Sequence, residues 1–104
     1  MHQVPYVAPL PAETPRTVIA ALGPRMLELA RSHADGAHPY LVTPEHTQRA
    51  RAALGDGKLL CVEQMVLLER DAATARAVAR KTLALYLGMP NYRNNLLRLG
   101  FSAE

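Results

Sequence analysis

An apolar run that ends in glycine and proline constrains the fold of this chain more than any other feature. Residues 17–22 (TVIAAL) have the composition of a buried strand, and Gly23 and Pro24 follow directly. Glycine lets the backbone turn tightly, and proline is preset for the first position of a helix. We therefore predict a strand that turns at once into a helix over 24–34, whose first turn carries unpaired N–H groups beside Arg25. Such a junction attracts anions, in particular phosphate or a carboxylate, and is typical of cofactor sites in α/β enzymes.

The same alternation of strand and helix continues along the chain. Gly36 is interpreted as the stop signal of the first helix. The other predicted elements are a strand over 37–42, a helix over 44–54 with Thr43 as N-cap, a strand over 65–69, a helix that begins after Asp71 and ends at Leu87, and a helix over 90–99 closed by Gly100 and Phe101. This order predicts the α/β class, with parallel strands joined by right-handed crossovers.

The predicted strands and helices are too few to make a complete domain, which indicates that they belong to a larger one. Residues 1–16 contain four prolines and are predicted to form an extended lead-in without a core of its own. Three parallel strands with their helices bury little surface, although a parallel sheet needs cover on both faces. The last three residues, 102–104, resemble the cap of a further helix. We therefore expect this chain to be a piece of something larger.

Composition excludes several classes of partner. The net charge is +3, but the twelve Lys and Arg residues are scattered and aromatic residues make up only 5%, which argues against nucleic-acid binding. No apolar run is long enough to span a membrane, and the first residues do not begin a secretory signal. The single cysteine, Cys61, cannot form an internal disulfide, which favours a cytoplasmic location. The spacing of His33, His38 and His46 matches no metal motif, so no metal is predicted.

Six segments resemble, in order and in spacing, the luciferase-like monooxygenase superfamily. Within it they are most similar to the branch of oxidoreductases that depend on the deazaflavin coenzyme F420. The segments are 20–30 (AALGPRMLELA), 36–40 (GAHPY), 43–47 (TPEHT), 63–64 (EQ), 86–96 (YLGMPNYRNNL) and 98–101 (RLGF). The resemblance implies a partial (β/α)8 TIM barrel, of which this chain supplies about three βα units, roughly strands five to seven.

The resemblance also implies an activity for the full-length parent. That activity is hydride transfer between the deazaflavin of F420 and a small organic substrate, in a protein that forms a homodimer when full length. The first half of such a barrel supplies most contacts to the deazaflavin ring, so the chain alone is expected to be inactive and its catalytic residues are unknown. Two alternatives remain open: an FMN-dependent monooxygenase of the same superfamily, and a non-catalytic half-barrel that binds or assembles.

Candidate site residues follow from the same resemblance. It implies contacts to the phosphate-bearing tail of the cofactor from four residues at the first strand-to-helix junction: Leu22, Gly23, Arg25 and Met26. Without it, this junction reads as an ordinary tight turn and helix start. His38 and Tyr40 lie at the end of the second strand, where they would line the substrate pocket. The alternative for Tyr40 is core packing.

Other polar residues receive structural interpretations. Cys61 lies in an apolar run and is predicted to be a small buried hydrophobe rather than a nucleophile. Glu63 and Gln64 precede the predicted third strand and are therefore placed at the opposite, stability end of the barrel. Glu69 is a further site candidate, beside the predicted cap Asp71. Residues 91–95 (NYRNN) form either an exposed helix surface or a contact with substrate or a neighbouring subunit.

Overall fold

Three short parallel strands and four helices form the described part of the chain. The computed structural model describes residues 8–9 and 11–102. The elements, in chain order, are β1 (Val18–Ala20), α1 (Pro24–His33), β2 (Gly36–His38), α2 (Pro44–Leu54), β3 (Leu59–Leu60), α3 (Ala72–Leu87) and α4 (Pro90–Arg98). The sheet order is β1-β2-β3, with both pairs parallel. The predicted α/β class is confirmed, and residues 8–9 and 11–16 of the lead-in contain no helix or strand.

The predicted position of the third strand is wrong. Residues 65–69 are in neither a strand nor a helix, and Val66 and Leu68 are 87% and 102% exposed. The strand lies six residues earlier, because the turn after α2 is short and held in place. Arg51 donates from Nη1 to the carbonyls of Gly55 and Lys58, both at 2.9 Å, and this brings the following residues directly alongside β2.

The pairing of β2 with β3 extends beyond the two residues of the strand itself. The amide of Leu59 donates to the carbonyl of Asp35, and the amide of Cys61 donates to that of Ala37, both at 2.9 Å. A further parallel bridge joins Tyr40 to Glu63. Glu63 therefore follows the third strand and lies at its carboxyl end, whereas the sequence placed it at the opposite end.

Helix termini follow the sequence closely. The hydroxyl of Thr43 accepts from the amide of His46 at 3.3 Å, and Asp71 accepts from the amide of Thr74 at 2.8 Å, so both predicted N-caps are confirmed. The C-terminus of α4 is a Schellman motif. Gly100 takes a φ of 97°, and the amide of Phe101 donates to the carbonyl of Leu96 at 3.2 Å.

Gly36 has a different role from the one predicted. Helix α1 already ends at His33, with Ala34 as its C-cap, whose amide donates to the carbonyl of Ala30; Gly36 is the first residue of β2. A Cβ added to Gly36 would lie 2.5 Å from the Cβ of Leu59 and closer still to its carbonyl oxygen. Glycine is needed there because two strands approach closely, not because a helix stops.

Small residues form most of the core between the sheet and the first two helices. The buried cluster consists of Ala21, Leu27, Ala30, Ala37, Ala50 and Leu54. Alanine side chains let α1 and α2 pack close to the sheet, which fixes the turns that follow β1 and β2. No helix in the part of the chain described here has both the length and the apolar character to cross a bilayer.

Candidate functional site

The carboxyl ends of the three strands meet at one edge of the sheet, as parallel strands require. A cavity of about 290 Å³ opens at this edge, and we call it the mouth cavity. Five of the six residues predicted for the site line it: Leu22, Gly23, Met26, His38 and Tyr40. The remaining wall includes four residues of α4: Asn91, Tyr92, Asn94 and Arg98. The segment 91–95 is therefore more than an exposed helix surface.

Arg25 is the sequence-predicted site residue that does not line the mouth cavity. It is exposed in the first turn of α1. The guanidinium beside the junction belongs to Arg98 instead, whose Nη2 lies 3.4 Å from the position that a Cβ on Gly23 would occupy. No sequence pattern indicated this contact, because a basic residue in the last turn of a helix is already explained by the helix dipole.

The first turn of α1 adjoins this cavity through Gly23 and Met26. Gly23 is the N-cap and brings no side chain, and no acidic residue lies in the first turn. The first bond of the helix runs from the amide of Leu27 to the carbonyl of Gly23 at 3.0 Å. The amides of Arg25 and Met26 thus precede the helical ladder, and the positive end of the helix dipole lies at this point.

A buried histidine fixes the backbone of the junction. His46 of α2 is only 3% exposed, and its Nε2 lies 2.7 Å from the carbonyl oxygen of Leu22. Because a carbonyl only accepts hydrogen bonds, Nε2 carries the proton. From the sequence, His46 was considered only as a possible metal ligand, so this structural role was not predicted.

Three tyrosines from separate elements pack around the end of β2. The rings of Tyr40, Tyr86 and Tyr92 meet edge to face, with centroids 5.2 to 6.0 Å apart. The hydroxyl of Tyr40 donates to that of Tyr86 at 2.8 Å, and this bond is the main reason why the pKa of Tyr40 is raised to about 12. Tyr40 therefore both lines the mouth cavity and packs against neighbours, so the two interpretations made from the sequence are compatible.

Comparison with known protein families assigns the chain to one of them. Residues 2–104 match the family described as luciferase-like monooxygenase. The chain belongs to the luciferase-like monooxygenase family. Searches of curated proteins and of solved structures gave no match.

Family membership explains the architecture. The three parallel βα units are a sector of a (β/α)8 barrel, and the mouth cavity lies at the carboxyl-terminal edge, where barrel enzymes carry their active sites. Luciferase-like enzymes are oxidoreductases that use flavin or F420 cofactors. The oxidoreductase assignment applies to a complete enzyme of this family, in which βα units like these three form part of the barrel.

His38 joins the ends of two strands of this luciferase-like sector. Its Nδ1 lies 2.6 Å from the carbonyl oxygen of Cys61 and therefore carries a proton, while its Nε2 lies 3.3 Å from the carboxylate of Glu63. A protonated imidazole would form an ion pair with that carboxylate. His38 thus holds β2 to β3 while it lines the mouth cavity, and Glu63 is a nearby site residue that the sequence misplaced.

Two other sequence interpretations change at this edge. Cys61 is exposed rather than buried, because it follows β3 immediately instead of lying within a longer strand. Glu69 accepts a hydrogen bond from the amide of Asp71 at 2.8 Å, which gives it a local role at the start of α3. Among residues 8–9 and 11–102, no three His, Cys, Asp or Glu side chains are grouped so that they could hold a metal.

A larger cavity, of about 780 Å³, lies between the end of β2 and the last two helices. Its wall includes Leu83, Leu87, Leu96 and Leu97, so it is mainly aliphatic, and none of the six predicted site residues lines it. Arg93 also lines the larger cavity, but the smaller mouth cavity brings together an imidazole, two phenols and a guanidinium. That cavity is suited to holding an anionic group at the α1 terminus next to an aromatic wall.

Proposed function

We propose that this chain forms part of an F420-dependent oxidoreductase that transfers a hydride between the deazaflavin and a small organic substrate. The observation that carries the proposal is the juxtaposition of Gly23, the first turn of α1 and the guanidinium of Arg98 at the mouth cavity. Family membership supports the oxidoreductase class. The preference for F420 over FMN rests on the sequence segments that resemble the F420-dependent branch.

The residues present fit the phosphate-bearing tail of such a cofactor. Gly23 leaves room because it has no side chain, and the first turn of α1 offers amide donors without a competing carboxylate. Arg98 adds a positive charge, and guanidinium groups bind phosphate oxygens in a fixed geometry. The bound deazaflavin supplies the hydride chemistry, while the chain's own residues bind and orient the tail.

The proposal assigns different roles to the predicted residues. Leu22, Gly23 and Met26 would contact the cofactor tail, and Arg25 would add charge from outside the cavity. His38 and Tyr40 would form part of the wall against which the substrate lies. A cytoplasmic location and a homodimer of the full-length protein belong to the same proposal.

Cofactor titration of the full-length protein tests the proposal. We expect F420 to bind with saturable quenching of its fluorescence, and FMN to bind at least about tenfold more weakly. Arg98→Gln should weaken F420 binding by about tenfold, the usual effect of losing one charge-assisted hydrogen bond. Arg76→Gln, an exposed change on α3, is the matched control and should leave binding unchanged.

Two outcomes would contradict the proposal. Tight binding of FMN with no binding of F420 would assign the chain to the flavin-dependent members of the family. Equal F420 affinity in the Arg98→Gln and Arg76→Gln proteins would remove the phosphate contact that carries the argument.

A further inference from the structure

One face of the sheet carries polar side chains at the carboxyl ends of β2 and β3. The parallel register pairs Ala37 with Leu60 and continues to the bridge between Tyr40 and Glu63. Because side chains alternate along a strand, His38 lies on the same face as Tyr40 and Glu63, whereas Ala37 is buried on the opposite face. The side chains of His38 and Glu63 are 42% and 55% exposed, so a small molecule can reach them.

The backbone fixes the proton on one nitrogen of the His38 imidazole. Its Nδ1 lies 2.6 Å from the carbonyl oxygen of Cys61, and a carbonyl only accepts hydrogen bonds, so Nδ1 carries a proton. In a neutral ring the other nitrogen, Nε2, then has a lone pair and no proton. Nε2 lies 3.3 Å from the carboxylate oxygen Oε2 of Glu63, which leaves no room for a water molecule between the two atoms.

This contact is favourable only when a proton lies between the two groups. A lone pair on Nε2 and an ionised carboxylate repel each other, because both are acceptors. One added proton removes the conflict, either as an imidazolium beside a carboxylate or as a carboxylic acid that donates to the ring. His38 and Glu63 therefore form a site for one exchangeable proton, which we call the proton pair.

The surroundings of the proton pair favour release of this proton into the mouth cavity. His38 lines that cavity, and the other titratable or charged side chains that line it are those of Tyr40, Tyr92 and Arg98. Ordinary phenols and guanidinium groups keep their protons at neutral pH, whereas an imidazole gains and loses one there. Among the described residues of the cavity wall, His38 is therefore the group suited to proton exchange.

We propose that His38 exchanges this proton with a substrate oxygen, which makes the substrate of the mouth cavity an aldehyde or a ketone. This inference rests on the proposed hydride transfer. When the carbonyl carbon receives a hydride with its two electrons from the reduced deazaflavin, the π bond of the carbonyl opens and negative charge develops on the oxygen. The Nε2–H bond of His38 then breaks, and its proton forms the O–H bond of an alcohol.

The step balances without a further reactant. The carbonyl compound is reduced by two electrons and the deazaflavin is oxidised by two, while water returns a proton to the pair. In the reverse direction an alcohol loses its hydride to the oxidised deazaflavin and its hydroxyl proton to Nε2. Glu63 acts through the imidazole and is a positioning residue, since it holds the proton on the nitrogen that faces it.

Nitrogen NMR of the full-length protein, with its histidines isotopically labelled, tests the proton without turnover. At about pH 6 an ordinary imidazole is partly protonated, and we expect Nε2 of His38 to show an attached proton in slow exchange with water. The signal is assigned by its absence in His38→Gln. Glu63→Ala removes the acceptor and should abolish the signal, whereas the matched control Glu13→Ala, an exposed change in the lead-in, should retain it.

Steady-state kinetics of the full-length protein with reduced F420 tests the transfer. The probes are butanal, cyclohexanone and benzaldehyde, of which we expect at least one to be reduced. His38→Gln should lower kcat by about 100-fold, as loss of a general acid does, while KM and F420 affinity change by less than about twofold. His33→Gln, at the exposed end of α1, is the matched control and should keep the parent kcat.

Three results would overturn the inference while F420 binding stays intact, and each would leave the proposed function standing. They are no reduction of any probe, the parent kcat in His38→Gln, and the same Nε2 signal in Glu63→Ala and Glu13→Ala. Glu63 is exposed, so its variant decides the question if His38→Gln fails to fold by circular dichroism. Absence of F420 binding in the parent would overturn the proposed function and, with it, the transfer step.

Discussion

The imidazole of His46 donates from Nε2 to the backbone carbonyl of Leu22, and the two atoms are 2.7 Å apart. This bond links the turn between β1 and α1 to the first turn of α2. Leu22 lines the mouth cavity and also a cavity of about 360 Å³ between α1, α2 and α4, so the bond fixes a residue that both share. The shape of the first βα turn therefore depends on a buried side chain from the second βα unit.

Replacement of His46 by leucine should destabilise the chain more than its modest change in volume implies. The substitution removes the donor from the partly buried carbonyl of Leu22, which costs about 1 kcal/mol of unfolding free energy. Urea denaturation followed by circular dichroism measures this loss. His33→Leu, at the exposed end of α1, is the control and should change stability by less than about 0.5 kcal/mol. Equal losses in the two variants would show that the Leu22 bond contributes nothing.

Gly36→Ala should disrupt the pairing of β2 with β3. The added methyl group would meet the Cβ of Leu59 at 2.5 Å and its carbonyl oxygen at a shorter distance, so the strands must separate. We expect a loss of at least about 2 kcal/mol in unfolding free energy, as in other overpacked sites. The control is Gly57→Ala, where nothing lies within 4 Å of the new Cβ and the change should stay within about 0.5 kcal/mol. Matching losses would contradict the close approach.

Features encoded by neighbouring residues could be predicted from the sequence. The turn at Gly23 and Pro24, the caps Thr43 and Asp71 and the helix end at Gly100 each depend on residues within one turn of the backbone. The third strand could not be placed in this way. Residues 59–60 and 65–69 are both apolar, and the choice between them depends on the tight turn that Arg51 holds, a contact between side chain and backbone that hydrophobic patterning does not contain.

The same limit applies to the candidate site. Residues next to strand ends were found because a strand end is a local signal, and five of the six line one cavity. Arg98 and Tyr86 were missed, and the segment 91–95 was left between two interpretations, because their contacts join elements far apart in the sequence. Their positions follow from the packing of α4 against the first two βα units, which no pattern of neighbouring residues records.

Cys61 should react readily with a thiol reagent in the folded chain. It is exposed because it immediately follows β3, at the edge of the sheet. Titration with a chromogenic disulfide reagent should modify one thiol per chain without denaturant, at a rate close to that of the chain in urea. Cys61→Ser provides the blank, since it removes the single cysteine. If Cys61 reacts only in the presence of denaturant, it is buried, as predicted from the sequence.

Tyr40 should ionise at a higher pH than an ordinary tyrosine. Its hydroxyl donates to that of Tyr86 at 2.8 Å, and loss of the proton would break this bond, so the pKa of Tyr40 is raised to about 12 from an ordinary value of about 10. Between these two values the folded chain holds a proton that the unfolded chain has lost. The stability due to this bond is therefore complete below about pH 10 and is lost as the pH rises toward about 12.

Removal of the acceptor tests this assignment. Tyr86→Phe should bring the pKa of Tyr40 back toward about 10, and tyrosinate absorbance during an alkaline titration would record the shift. Tyr92→Phe is the matched comparison: it keeps the bond from Tyr40 to Tyr86 and removes only the Tyr92 hydroxyl, which contributes least to the pKa of Tyr40, so it should change the titration only slightly. Equal shifts in both variants would mean that burial within the cluster, rather than the bond to Tyr86, raises the pKa.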